Sequence, residues 1–292
     1  MWHRAGTLGL LSFLLAATEV SAALVTIRQG AGLAAATTAR DQFRTDIGGG
    51  TVAGANGSFG GVRREINWDG VPDAFAAPNA LPANFFNVNS PRGVIFSTPG
   101  TGFQVSATAA SGTPVRFGNL DPSYSSQFVA FSPERLFTPL GQAVTDITFF
   151  LPGTNTPAGV SSFGAMFTDV DFSGSTVIQL FGPSGEDFGS LIPPIAPQDV
   201  SFIGITFTTG EKIARVRITS AGAAPGPGQH DFPQPPFPCG NCGPQDIIAI
   251  DDLIYSEPAL ITNGPFLPAM SPLMMAILAG LLAVFGLFAL RR

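Results

Sequence analysis

The chain has 292 residues, enough for one large domain or two small ones, and it is rich in Gly (35), Pro (26) and Phe (26). This composition favours short strands and turns over long helices, and it argues against a helical bundle or a coiled coil. The net charge is −6 and Lys212 is the single lysine, so the basic surface that nucleic-acid binding requires is missing. An acidic surface suits divalent cations better than anionic partners.

The N-terminus has the pattern of a cleavable secretory signal. A short basic start over 1–4 is followed by an uncharged apolar run over 8–17, and Val20-Ser21-Ala22 supplies the small residues that signal peptidase reads. A permanent N-terminal membrane helix would need a longer apolar run. We therefore predict a signal peptide over 1–22.

Residues 23–50 are expected to form a short strand and helix segment before the main domain. Within it, 31–47 places Phe43 and Ile47 among alanines, and glycines 48–50 follow. Glycine is the usual residue just after a helix end. The pattern predicts one short helix that serves as a lid or brace.

Residues 51–256 are expected to form an all-β domain, because strand-like runs bounded by Gly, Pro, Asn and Ser recur about every 8 to 15 residues. In 212–219, Val216 and Ile218 alternate with Arg215 and Arg217, which is typical of a half-buried strand. The fold class predicted is an antiparallel two-sheet β-sandwich, jelly-roll-like, with a Phe-rich core. The predicted strands are 93–97, 103–108, 127–131, 144–151, 164–172, 176–181, 200–208, 212–219 and 247–255.

Two segments interrupt or end this domain. The stretch 221–243 is dominated by Gly and Pro and separates the last two strands, so it is a long loop that is either functional or merely mobile. Residues 257–266 are predicted to be a linker to the C-terminal tail.

Residues 273–290 are 18 uncharged, mostly apolar residues followed by Arg291 and Arg292. At 1.5 Å per residue such a helix is about 27 Å long, close to the roughly 30 Å of a bilayer core. The two arginines fit a cytoplasmic end. We predict a transmembrane helix, with a buried core helix as the alternative.

The tail 267–292 resembles the C-terminal sorting signals of the PEP-CTERM class, most closely the variant that opens Ile-Pro-Thr-Leu-Ser. Leu267, Pro268, Met270 and Ser271 keep the pattern, and Arg291-Arg292 closes it. The resemblance implies a Gram-negative bacterium, an exosortase-type transpeptidase that processes the tail, and a location in the exopolysaccharide matrix of the cell surface.

The central region is similar to secreted bacterial sandwich domains that occur with such tails, and its last strand resembles the closing strand of carbohydrate-binding jelly rolls. This similarity implies a binding or structural module. The matching stretches are Trp68-Asp69, 90–94, 169–171, 213–219 and 250–255.

Cys239 and Cys242 are the only cysteines, and in an oxidising compartment they are predicted to form a small disulfide loop. Metal binding or redox chemistry are the alternatives, although a zinc site would need two more ligands. His230 is the only histidine outside the signal peptide, which leaves little room for a His-based active site.

Carboxylates give the clearest functional hint. Asp169 and Asp171 share a face of their strand if it stays extended, whereas Asp251 and Asp252 point to opposite faces. Asp171 or Asp252 is predicted to bind a structural calcium ion at the sandwich rim, because calcium prefers oxygen ligands. The alternative is that these residues only cap turns. A glycosidase would use Asp169, Asp171 or Glu186, but nothing in the sequence indicates the apolar pocket that a catalytic acid needs.

Sugar binding usually relies on exposed aromatic rings, and Trp68 and Tyr124 are predicted as ligand contacts on that basis. The function predicted is a non-enzymatic envelope or matrix protein, sorted through its tail. The alternative is a calcium-dependent carbohydrate-binding module of the exopolysaccharide matrix. The expected partners are the membrane, the exosortase-type enzyme and exopolysaccharide, with no nucleic acid and no cofactor except a structural calcium ion.

Overall fold

The computed structural model describes residues 25–220, 222–231 and 245–261. These residues form fifteen β-strands and three α-helices, joined by turns and loops. Single turns of 3-10 helix lie at Ala55–Gly57, Asp73–Phe75 and Ala109–Ser111. The helices are α1 (Leu33–Ile47), α2 (Phe85–Val88) and α3 (Tyr124–Gln127). The strands are β1 (Val25–Ala31), β2 (Ser58–Phe59), β3 (Arg63–Ile66), β4 (Val94–Ser97), β5 (Gly102–Val105), β6 (Phe137–Leu140), β7 (Val144–Phe149), β8 (Ala158–Gly159), β9 (Ser162–Val170), β10 (Thr176–Phe181), β11 (Asp187–Leu191), β12 (Ala196–Phe207), β13 (Arg215–Ser220), β14 (Ala249–Ser256) and β15 (Ala259–Leu260).

Two antiparallel sheets face each other across one hydrophobic core. The larger sheet has the order β1-β12-β9-β14-β3-β2, with β6 pairing to β14 and β5 to β6, and the smaller sheet has the order β11-β10-β13-β7-β4. Rings from both sheets meet in the core, where Phe149 of the smaller sheet lies 5.5 Å from Tyr255 and 6.4 Å from Phe163. The predicted antiparallel, all-β sandwich is confirmed at this level.

Alternation predicted two of the strands well. In β7 and β13 every second residue is buried, including Ile147, Val216 and Ile218. On the outer face, Asp146 accepts hydrogen bonds from Arg215 (2.8 Å) and Arg217 (2.7 Å). Cross-strand pairs of opposite charge of this kind stabilise neighbouring strands.

Helix α1 packs as a brace on the outer face of the larger sheet. Its buried residues are Ala36, Ala39 and Phe43, and the Phe43 ring lies over the paired glycines Gly164 and Gly204 of β9 and β12. A Cβ atom on either glycine would come within 2.8 Å of that ring, so only glycine lets the helix approach this closely. The segment 23–50 thus contributes an edge strand through β1, which pairs with β12, and a covering helix.

One predicted strand, 127–131, was wrong. Residues 127–131 do not form a strand, because helix α3 ends at Gln127 and the chain then runs without sheet pairing. The predicted linker 257–266 is described only over 257–261, and this part contacts the sandwich, because β15 pairs with β8 and Glu257 accepts a 2.7 Å hydrogen bond from Arg64. Long-range pairing of this kind leaves no local sequence signal.

The predicted signal peptide over 1–22 and the predicted sorting signal and membrane helix within 267–292 lie outside the described residues. Within the described residues, no helix is long and apolar enough to cross a bilayer.

Candidate functional site

The strongest candidate site lies at one rim of the sandwich, where β9 ends. Asp169 has a left-handed backbone (φ 68°), and the pairing of β9 with β12 shifts register between Ala196 and Val200. The backbone N–H of Gln198 donates to Asp169 Oδ1 at 2.6 Å. The strand is therefore not extended at Asp169, so simple alternation does not explain where this carboxylate lies.

Asp171 lies two residues after Asp169, and its backbone N–H is bound by another carboxylate. The Asp171 N–H donates to Asp246 Oδ2 at 3.1 Å. Asp246 precedes β14 and is fully buried, whereas Asp171 is only half-buried. The rim therefore joins the ends of two neighbouring strands, β9 and β14, through carboxylates.

The third carboxylate of the site, Asp231, comes from the Gly- and Pro-rich segment 222–231. Its Oδ1 accepts a hydrogen bond from Ile247 N at 3.2 Å, and its Oδ2 accepts one from Gln127 Nε2 at 3.4 Å. Carboxylate oxygens of Asp169, Asp171 and Asp231 all lie within 4.8 Å of one another. We call these three residues, together with Asp246, the rim cluster.

The electrostatics of the rim cluster are unfavourable without a counter-charge. Burial, with the neighbouring Asp171, Asp169 and Asp246 carboxylates, raises the pKa of Asp231 to about 9. Burial is also the main reason why the pKa of Asp246 rises to about 7 and that of Asp169 to about 6. Asp169 Oδ2 and Asp246 Oδ1 are buried and accept no hydrogen bond from the described part of the chain. A buried acceptor without a partner is costly.

Calcium fits this arrangement. It takes six to eight oxygen ligands at about 2.3–2.6 Å, so two of its ligands can be up to about 5 Å apart. Asp171 and Asp231 are accessible enough to supply side-chain oxygens, and Asp169 Oδ2 offers a buried one. The structure thus brings together the predicted pair, Asp169 and Asp171, and adds Asp231 and Asp246, which sequence reasoning missed.

Asp252, the other predicted calcium ligand, lies elsewhere. The pairing of β14 with β9 shifts register between Ile250 and Leu253, and Asp251 and Asp252 lie side by side instead of on opposite faces. Ser132 Oγ is 2.9 Å from Asp251 Oδ1 and 2.8 Å from Asp252 Oδ1, and Phe131 N donates to Asp251 Oδ2 at 2.6 Å. We call Asp251 and Asp252 the buried pair.

The buried pair is a closed structural feature and does not reach the rim cluster. Asp251 is fully buried and Asp252 is 4% exposed. Burial and the close Asp252 carboxylate raise the pKa of Asp251 well above its usual value. Arg44 of α1, paired with Glu65 at 2.5 Å, adds positive charge near Asp252. The structure therefore places Asp252, predicted as a rim calcium ligand, in the buried pair and not among the residues of the rim cluster.

The aromatic residues predicted to contact a ligand are also buried. Trp68 is 1% exposed, its ring stacks on Phe137 at 4.3 Å, and its indole N–H donates to the Asp251 carbonyl. Tyr124 is fully buried, and its hydroxyl donates to the Gln229 carbonyl at 2.6 Å. Neither ring can stack on a sugar. Each ring packs against other residues in the interior, and its polar group already donates a hydrogen bond there.

The remaining predicted residues divide into two groups. Glu186 is exposed in the turn between β10 and β11, where hydrogen bonds from backbone N–H groups lower its pKa, opposite to the shift that a catalytic acid needs. The predicted disulfide and sorting-signal residues lie outside the described residues; they are Cys239, Cys242, Pro268, Ser271, Arg291 and Arg292.

A groove of about 720 Å³ lies beside the segment that carries Asp231. One side is formed by residues of 222–229, and the other includes Leu140, Gln142 and Val144 at the turn before β7. None of its lining residues has an ionisable side chain. The groove therefore favours an uncharged ligand.

Comparisons with protein-family models, with curated proteins and with solved structures find no match for this chain.

Proposed function

We propose that this chain is a non-enzymatic surface module whose sandwich binds one calcium ion at the rim cluster. The observation that carries the proposal is the meeting of Asp169, Asp171 and Asp231 within 4.8 Å, with Asp169 Oδ2 buried and lacking a hydrogen-bond partner among the described residues. A divalent cation would offset the repulsion among the three carboxylates, and it would bind the Asp169 oxygen that lacks a hydrogen-bond partner.

The sequence supports a location in which calcium is plentiful. The secretory signal over 1–22 and the PEP-CTERM-like tail over 267–292 are consistent with export of a jelly-roll-like sandwich to the envelope of a Gram-negative bacterium. The membrane helix over 273–290 and an exosortase-type enzyme would then hold or process it there. Extracellular calcium modules commonly bind with a Kd of about 10⁻⁴–10⁻³ M, and a three-carboxylate site fits that range.

The second candidate function is calcium-dependent binding of exopolysaccharide. The uncharged groove beside Asp231 favours it, since Gln142 and Gln229 offer amide groups to sugar hydroxyls. The buried Trp68 and Tyr124 count against a stacking mode of recognition. A sugar would therefore have to be bound by hydrogen bonds and by the cation.

Isothermal titration calorimetry of the full chain in detergent tests the proposed calcium site. We expect one calcium to bind with sub-millimolar to millimolar Kd and magnesium to bind more weakly, because magnesium gives up its water ligands reluctantly. Asp171→Asn should abolish the calcium heat. Asp187→Asn removes the same charge from an exposed strand residue and should leave it unchanged. No calcium heat in the wild-type chain, or full heat in Asp171→Asn, would refute the site.

Removal of residues 267–292 tests the proposed anchoring. The truncated protein should leave the membrane fraction of its host and appear in the soluble envelope fraction or the medium. Retention of the truncated protein in the membrane fraction would show that the tail is not the anchor.

A further inference from the structure

The segment 222–231 crosses the rim between the two sheets. It begins just after β13 of the smaller sheet and ends at Asp231, beside the end of β9 in the larger sheet. Along this path it forms one side of the uncharged groove. Whatever holds the segment in place therefore also sets the shape of the groove.

The middle of the segment is anchored by Tyr124. The Tyr124 hydroxyl donates to the Gln229 carbonyl at 2.6 Å and accepts from the Gly226 N–H at 3.3 Å. The tyrosine ring is buried and stacks against Phe128 at 5.1 Å. This anchor is complete without any ligand.

The Asp231 end is held differently. The two hydrogen bonds to its carboxylate are long, 3.2 Å from Ile247 N and 3.4 Å from Gln127 Nε2. The same carboxylate lies within 4.8 Å of the Asp169 and Asp171 carboxylates, which carry the same sign of charge when ionised. The buried Asp169 Oδ2 has no hydrogen-bond donor among residues 25–220, 222–231 and 245–261. This end therefore presents crowded carboxylate oxygens that a cation could bridge.

We propose that the bound calcium ion is the clasp that fastens the segment 222–231 to the sandwich and so shapes the groove. This inference rests on the proposed calcium site. In the ion-bound protein, Asp231 is tied through the cation to Asp169 and Asp171, so the segment opens only when the ion leaves. In the ion-free protein, the hydrogen bonds of Tyr124 and those that Gln245 donates to Gln229 and to the His230 carbonyl still hold the segment. Without the cation, the Asp231 end opens more often.

Hydrogen–deuterium exchange of the full chain in detergent, with calcium or with EDTA, tests the clasp. If opening requires loss of the ion, calcium at ten times its Kd slows exchange in 222–231 about tenfold. Amides of β13 serve as the internal reference and should not change. In Asp171→Asn, exchange in 222–231 should be equally fast with calcium and with EDTA.

Tyr124→Phe separates the two anchors. It removes only the hydroxyl, so exchange in 222–231 should be faster in both solutions while the slowing by calcium persists. Calcium binding by calorimetry with unchanged exchange in 222–231 would overturn the clasp and leave the calcium site standing. Absence of calcium binding would overturn both.

Discussion

The rim cluster and the buried pair are both groups of aspartates at strand irregularities of the larger sheet, yet their surroundings differ. The buried pair has donors from Ser132 and Phe131 and lies near the Arg44–Glu65 ion pair under helix α1. The rim cluster is partly open, and Asp169 and Asp246 each keep a buried oxygen without a hydrogen-bond partner in the described residues.

This difference separates a structural use of carboxylates from a ligand-binding one. A buried acid that shares a proton and accepts hydrogen bonds needs no ion. Carboxylates that crowd together with unfilled acceptor sites are stabilised when a cation arrives.

Replacing Arg44 with Met should disrupt the surroundings of the buried pair. The substitution removes the Arg44 positive charge from the surroundings of both Glu65 and Asp252. Loss of one partner of a buried ion pair costs about 3–5 kcal/mol, and since the Arg44 side chain is 26% exposed we expect about 2–3 kcal/mol in urea unfolding.

Arg28→Met is the matched control for Arg44→Met. Arg28 pairs with Asp46 at 2.7 Å on the surface, where solvent screens such pairs and they contribute little to stability. Equal losses in the two variants would contradict the structural importance assigned to the charges under α1.

Asp251→Asn should reduce the pH dependence of stability. The pKa of Asp251 is higher in the folded protein than in the unfolded chain, so the folded state binds more protons above about pH 4 and stability falls as pH rises. Asparagine keeps a donor toward Asp252 but cannot titrate. Between pH 5 and pH 8 in EDTA, we expect the variant to lose less free energy of unfolding than the wild type, by about 1.4 kcal/mol for each pKa unit of the shift that falls in this range.

Urea unfolding at the two pH values makes that comparison. The rim cluster titrates in both proteins, so its contribution cancels when their losses of unfolding free energy are compared. An identical loss in Asp251→Asn and the wild type would show that the buried pair does not hold the extra proton.

Asp171→Asn should have a smaller and opposite effect in the absence of calcium. It removes one charge from the rim cluster and keeps an acceptor oxygen for Asp231. Like charges at these separations repel by one to several kcal/mol, and with partial exposure we expect the free energy of unfolding in EDTA to rise by about 1 kcal/mol. A fall in the free energy of unfolding would show that the contacts of the Asp171 carboxylate are favourable on balance and not repulsive.

Local periodicity predicted much of the fold. The alternation of apolar and charged residues located β7 and β13, and the alanine-rich stretch closed by glycines located helix α1 at Leu33–Ile47. These features depend on neighbours within a few residues, which the sequence shows directly. The edge strand β1 and the short strand β15 form through pairing with distant segments.

The rim cluster was only half predictable. The spacing of Asp169 and Asp171 suggested a shared face, although the left-handed backbone at Asp169 brings them together in another way. Asp231 lies in a Gly- and Pro-rich stretch with no periodic signal, and only the path of the chain brings it to the end of β9. Register shifts explain the error for Asp251 and Asp252, because the alternation rule fails at a bulge.

The most direct test of the central claim is the calcium-induced shift of the melting temperature in three full-length proteins: wild type, Asp171→Asn and Asp252→Asn. At calcium concentrations about 100 times Kd, a site that binds only the folded state adds about 2.7 kcal/mol, or roughly 5–10 °C for a domain of this size. We predict this shift in the wild type and in Asp252→Asn, and no shift in Asp171→Asn. A shift that survives Asp171→Asn, or one that disappears in Asp252→Asn, would contradict the assignment of the calcium site to the rim cluster.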